Sequence, residues 1–76
     1  MPNSLAQVIQ RMISDAMGNF LATATLKKNC ELIGTTTEEL TVNDLPALAQ
    51  KVEKSVAFFK DEVTAKDLAE KIGALV

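Results

Sequence analysis

The chain has 76 residues, a formal charge of −2 and a pI near 4.9, which indicates one small domain with an acidic balance. That sign disfavours a generic binder of nucleic-acid phosphates, so no direct nucleic-acid contact is expected. Cys30 is the single cysteine, so no disulfide framework can support the fold. Histidine is absent, and the sequence contains no zinc-binding pattern. A domain of this size hides only about 60% of the surface that its unfolded chain exposes, and association between copies is a common remedy.

Charge is unevenly distributed along the chain. Residues 1–30 carry a net charge of +2 from four charged side chains, whereas residues 31–76 carry −4 from fourteen. The first residues lack the basic and apolar regions of a signal peptide, and no run of eighteen apolar residues is present. We therefore expect a soluble, cytoplasmic protein without a membrane span.

Apolar residues recur at helical spacing in the first third of the chain and predict a helix over about 4–33, which Gly34 ends. The set covers roughly 220° of the helix surface at about 100° per residue, which predicts neighbours on more than one side. The apolar face moves after Ala24, so a bend or break near 18–28 is an alternative to a continuous helix. The apolar set consists of Leu5, Val8, Ile9, Met12, Ile13, Ala16, Met17, Phe20, Leu21 and Ala24.

Two similar hexapeptides, at 40–45 and 63–68, predict two further helix starts. Each reads apolar residue, Thr, two variable positions, Asp, Leu. Thr41 and Thr64 are the predicted N-caps, with an acid at the third helical position facing the exposed amides. Pro46 lacks an N–H group, so the first cap alternatively lies at Asn43.

The predicted fold is a single all-α domain over residues 1–76. A long first helix packs against two shorter capped helices, giving a bundle of three helices, or of four if the first one breaks. A polar connector over 34–41 precedes a helix over about 42–60, and the last helix covers about 65–75. Apolar residues of the middle helix recur at heptad spacing, at Leu45, Ala49, Val52, Val56 and Phe59.

No residue pattern in the sequence predicts catalysis. Cys30 has no histidine to act as its base, and its predicted helix face is apolar, so we expect a buried thiol. The acid pairs Glu38–Glu39 and Asp61–Glu62 lie in connectors, where acids are usually solvated or assist helix starts. Neither EF-hand spacing nor a glycine-rich phosphate loop occurs. The sequence predicts a protein that is not an enzyme and needs no metal or cofactor.

Residues 63–73, VTAKDLAEKIG, resemble the first half of a DNA-binding helix-turn-helix motif. Such a motif reads DNA with a second helix that follows the turn, and only three residues follow Gly73. The resemblance therefore implies an accessory to a transcription regulator that does not read DNA directly. It is the weakest of three functional hypotheses, and the two stronger ones follow below.

Small residues recur every four positions along the predicted first helix, at Ser14, Gly18 and Ala22. This spacing lets two helix backbones approach closely. Together with the low charge of the first third, it predicts self-association, with a homodimer favoured. The leading hypothesis is a small non-catalytic interaction module that pairs through its first helix and binds a protein partner.

The second hypothesis is a binder of a small apolar ligand or cofactor between the helices. Methionine and phenylalanine side chains line adaptable apolar pockets, although the same residues also serve as plain core. The candidate lining residues are Met12, Met17, Phe20, Phe58 and Phe59.

Overall fold

The computed structural model describes residues 2–75, and the regular structure in this range is entirely helical. The helices are α1 (Ser4–Met17), α2 (Asn19–Leu32), α3 (Leu45–Phe59) and α4 (Glu62–Gly73), with a 3-10 turn at Val42–Asp44 before α3. The fold class is therefore all-α, as predicted. The stretch predicted as one long helix forms two, so the count is four, as the alternative with a broken first helix has it, and not three.

Gly18 separates α1 from α2. Its φ of 90° and ψ of 157° lie in a region that only glycine adopts without strain. Its N–H donates to the carbonyl of Ser14 at 2.7 Å and so closes α1, while its carbonyl accepts from the N–H of Ala22 at 3.0 Å and opens α2. The side-chain amide of Gln10 donates to the Thr23 hydroxyl at 3.1 Å. The two helices thus lie side by side as a hairpin.

Asn3 fixes the start of α1. Its side-chain oxygen accepts from the N–H of Ala6 at 2.9 Å, and its side-chain NH2 group donates to the carbonyl of Leu40 at 2.8 Å. Its backbone N–H also donates to the carbonyl of Thr37 at 2.9 Å. One residue therefore caps the first helix and ties it to the connector. Where the hairpin ends, Gly34 follows α2 with a φ of 82°, as its predicted role at the end of a helix requires.

The two predicted helix starts have different outcomes. At the first, the Asp44 carboxylate accepts from the backbone N–H of Thr41 at 2.9 Å, as the capping pattern predicts. Because α3 begins only at Leu45, Pro46 falls in its first turn, where no N–H is needed. At the second, the cap prediction is wrong. Asp61 is the N-cap and accepts from the N–H of Thr64 at 2.6 Å, so α4 begins three residues earlier than expected.

Two helical hairpins, α1–α2 and α3–α4, build the core between them. Contacts are most extensive within each hairpin, and the hairpins meet mainly along α2 and α3. The heptad positions of α3 are buried as predicted, except Phe59, which is 60% exposed. The fully buried apolar side chains come from all four helices, among them Ile9, Ile13, Ala22, Leu26, Cys30, Leu45, Leu48, Val52, Val56 and Ile72.

Candidate docking surface

An open apolar groove of about 350 Å³ runs between α2 and α3. Leu21, Ala24 and Leu32 form the α2 wall, and Phe59 projects from α3. Each groove residue of α2 lies three or four positions from another, so these residues share one helix face. This face turns away from the core positions Ala22, Leu26 and Cys30. The groove therefore follows from the way α2 divides its apolar residues between two faces. We call this surface the α2–α3 groove.

The rim of the groove holds large apolar side chains that face water. Leu21 is 37% exposed, Leu32 is 57% exposed and Phe59 is 60% exposed. Phe58, which is 82% exposed, packs edge-to-face on Phe59 with a ring-centroid distance of 5.1 Å. The apolar surface therefore continues beyond the groove itself.

The floor of the groove is polar. Among the described residues, the buried polar side chains are Thr25 and Asn29, and both line the groove. Asn29 and Ser55 exchange two hydrogen bonds: the Asn29 amide donates to the Ser55 hydroxyl at 3.2 Å, and the hydroxyl donates back to Asn29 Oδ1 at 3.4 Å. This pair joins α2 to α3 beneath the apolar rim.

The Thr25 hydroxyl has no hydrogen-bond partner within residues 2–75, although the residue is only 7% exposed. In the same range, no side-chain polar atom is both fully buried and unpaired. The hydroxyl therefore keeps its small exposed area, and Thr25 meets the surface at the groove. The groove thus presents an unused hydrogen-bonding group beneath apolar walls.

Lys28 is the one charged residue that lines the groove. It is exposed and forms neither a hydrogen bond nor an ion pair with another residue in the described range. Its ammonium group is therefore available to a partner. Lys27, the preceding residue, lines a separate, smaller cleft of about 210 Å³ on the other side of α2.

The residues proposed for self-association do not share one helix face. Ser14 lies in the last turn of α1, Gly18 is the joint, and Ala22 is fully buried in the core. A stripe of small residues requires an uninterrupted helix, and the break at Gly18 removes it. The Ser14 hydroxyl instead bonds to the side chain of Asn19 across the joint.

The residues proposed for an apolar pocket are also separated. Met12 lines an α1–α4 cleft of about 400 Å³ whose charged residues are Asp15, Lys60, Asp67 and Lys71. Met17 packs half-buried against the core. Phe20 is 88% exposed and makes no ring contact with another described aromatic residue. Of the five, only Phe59 lines the α2–α3 groove, with Phe58 beside it.

The remaining chemical candidates have structural roles. Cys30 is fully buried, and this burial is the main cause that raises the pKa of its thiol. The negative charge of Asp44 raises the same pKa to a smaller extent. Asp61 caps α4, where the N–H and hydroxyl groups of Thr64 lower the pKa of its carboxyl. Within residues 2–75, no three side chains come together as metal ligands.

Sequence reasoning missed most of the groove: Leu21, Thr25, Lys28, Asn29, Leu32 and Ser55. A usable signal was present, because Leu21, Thr25, Lys28 and Leu32 are spaced four, three and four apart. It becomes readable only when α2 is taken as a separate helix beginning at Asn19.

No helix in the described part of the chain is both long and apolar enough to cross a bilayer. Comparisons with protein-family models, with curated proteins and with solved structures found no match.

Proposed function

We propose that this protein is a non-catalytic interaction module that self-associates, with the α2–α3 groove of one copy facing that of a second copy. One observation carries the proposal: Leu21, Leu32 and Phe59 line one open groove with exposed apolar side chains, and Phe58 extends this surface through its ring contact with Phe59. Isolated exposed apolar residues are ordinary, but contiguous patches of this kind mark interaction surfaces.

The area of the patch is consistent with a weak dimer. If a fully exposed residue contributes about 200 Å², the exposed fractions of the four rim residues give roughly 450 Å² per copy. A two-fold dimer uses the same patch on both copies, so it buries about 900 Å² before flanking residues are added. Specific interfaces bury at least about 1,000 Å² in total, so the rim alone falls slightly below this limit and suits a weak, reversible contact. We therefore expect a reversible dimer whose dissociation constant lies between about 1 μM and about 1 mM.

A second copy accounts for this surface better than a small ligand. The groove is open, and a ligand inside it would leave Phe58 and most of the rim in water. A protein face covers the groove and the rim together. The size of the chain supports the same occupant, because small domains without disulfides or structural metals commonly gain stability by association.

Sedimentation equilibrium between about 1 μM and 1 mM tests the proposal directly, because this range brackets the expected constant. The parent should show a monomer–dimer equilibrium with a monomer mass of 8.2 kDa. Phe59→Ser should shift the protein to monomer while its thermal unfolding changes little, since Phe59 is largely exposed. Val63→Ser is the matched control, because Val63 is 82% exposed and does not line the groove.

Two results would contradict the proposal. One is a parent protein that stays monomeric over the whole range, and the other is a dimer that dissociates equally in Phe59→Ser and Val63→Ser. If the parent is monomeric, native mass spectrometry tests whether the groove instead holds a small ligand. Reproducible extra mass that Phe59→Ser removes would indicate a small apolar ligand.

A further inference from the structure

We infer that the polar floor of the α2–α3 groove receives Lys28 of a second copy, so that each subunit of the dimer inserts one ammonium group between Thr25, Asn29 and Ser55 of the other. This inference rests on the proposed self-association through the groove. The polar floor would make the groove specific for a second copy of this chain, whereas the apolar rim supplies most of the contact area.

The hydrogen-bonding capacity of the floor is only partly used. A carboxamide has two N–H donors and a carbonyl with two lone pairs, and a hydroxyl has one donor and two lone pairs. After their reciprocal bonds, Asn29 Oδ1 and the Ser55 hydroxyl each retain one lone pair. The Thr25 hydroxyl retains its full capacity, because it bonds to no other described residue. The floor therefore offers three oxygen acceptors from three residues.

An ammonium group fits these acceptors in number and in chemistry. It carries three N–H donors and no acceptor, and hydrogen bonds from a charged donor are stronger than those between neutral groups. An apolar partner that covered the groove would instead bury the Thr25 hydroxyl without any hydrogen-bond partner, which carries a free-energy penalty. The floor therefore favours a partner that brings a donor.

Symmetry identifies the donor. In a two-fold dimer the same patch lies on both sides of the interface, so a groove meets only the groups that it also presents. Lys28 is the one charged residue of the groove and has no partner within its own subunit. Its long apolar stem can lie along Leu21 or Leu32 while its ammonium group reaches inward. A closed interface would otherwise bury this charge without acceptors.

The substitution Lys28→Met tests the inference because it has opposite effects under the two accounts. If the groove pairs by apolar contact alone, replacing a rim charge with an apolar side chain tightens the dimer. If the floor receives the ammonium group, the dissociation constant measured by sedimentation equilibrium rises by about tenfold to a hundredfold, since each dimer loses two such contacts. Thr25→Val, which removes the hydroxyl at nearly constant shape, should weaken the dimer in the same direction.

Two further measurements keep the inference separate from a folding defect and from a general charge effect. Lys27→Met removes the same charge one residue away, outside the groove, and should leave the dissociation constant unchanged. In the double variant Lys28→Met/Thr25→Val, the loss should be smaller than the two single losses combined, because both remove the same contact. Thermal unfolding of dilute monomer should be nearly equal for all these variants.

Each outcome shows which proposal fails, the dimer itself or the role of Lys28. A parent that never dimerises overturns both proposals. A parent dimer that Phe59→Ser dissociates, but that Lys28→Met leaves equally tight or tightens, overturns only the role of Lys28. Equal weakening by Lys27→Met and Lys28→Met also overturns it, because that result indicates long-range charge rather than a contact at the floor.

Discussion

Replacing Gly18 with alanine should destabilise the protein, although the replacement adds only a methyl group. No heavy atom outside its own chain neighbours lies within 4 Å of the position that a Cβ would take, so a steric clash contributes nothing. The effect comes from the backbone, because a φ of 90° with a ψ of 157° is strained for any residue with a side chain. Strain of this kind costs about 1–3 kcal/mol.

The net effect is smaller than the strain. Alanine also restricts the unfolded chain, which returns about 0.4–1 kcal/mol. We therefore expect the free energy of unfolding to fall by about 1–2 kcal/mol, which for a domain of this size lowers Tm by about 5–15 °C. Thermal and urea unfolding, followed by far-UV circular dichroism on dilute monomer, measure both quantities.

Gly73→Ala is the matched control for Gly18→Ala. Gly73 also has open space around its Cβ position, but it lies at the end of α4 without a positive φ. Alanine there should stabilise the protein by up to about 1 kcal/mol. A Gly18→Ala variant with a higher Tm and a stronger helical signal would refute the reasoning. It would mean that the chain runs as one continuous helix through residue 18, as the helix predicted over about 4–33 does.

Two further predictions concern titratable groups. Hydrogen bonds from Thr64 lower the pKa of Asp61 from its ordinary value of 3.8. The Asp61 carboxylate therefore stabilises the fold fully above pH 3.8, and this stabilisation is lost as the pH falls through the lowered pKa of the folded state. Between about pH 5 and about pH 2, the Tm of the parent should fall further than that of Asp61→Asn, whose cap does not titrate in this range; parallel curves would contradict this. Burial raises the pKa of Cys30 and excludes reagents, so iodoacetamide should leave the native thiol unmodified at neutral pH and alkylate it quickly in urea. Alkylation at the same rate in both states would show that the thiol is accessible in the native protein.

Local patterns predicted much of the fold. The Thr41–Asp44 start is present because its hydrogen bonds are formed by residues three apart in the sequence. The heptad spacing of α3 places Leu45, Val52 and Val56 in the core for the same reason, since helix geometry converts spacing directly into a shared face. Features that depend on residues close in the chain were therefore readable from the sequence.

Features that depend on competition or on chain reversal were read only in part: a break near 18–28 was one alternative, but the reversal of the chain at Gly18 was not predicted. Val63–Leu68 has the same pattern as Leu40–Leu45, but the Asp61 carboxylate accepts a hydrogen bond from the N–H of Thr64. Asp61 is therefore the N-cap, and α4 begins earlier than predicted. The broad apolar sector of the predicted first helix combined two helices that fold against each other at Gly18. This also explains why Phe20, counted toward the core, is 88% exposed.

The candidate site was predicted least well, for the same reason. The α2–α3 groove combines residues of α2 with Ser55 and Phe59, and neither their proximity nor the polar floor is encoded in local spacing. The prediction of self-association is untested by the structure. Its predicted location on Ser14, Gly18 and Ala22 required the continuous helix that Gly18 interrupts.

The arrangement of two hairpins also has a kinetic consequence. Each hairpin joins helices that are neighbours in the chain, and folds rich in such sequence-local contacts reach the native state in microseconds to milliseconds. The groove, however, lies on the seam where α2 of one hairpin meets α3 of the other. It does not exist until both hairpins have docked and the Asn29–Ser55 pair has formed. Under the proposed pairing, recognition between copies is therefore confined to finished monomers, because partly folded chains lack the groove.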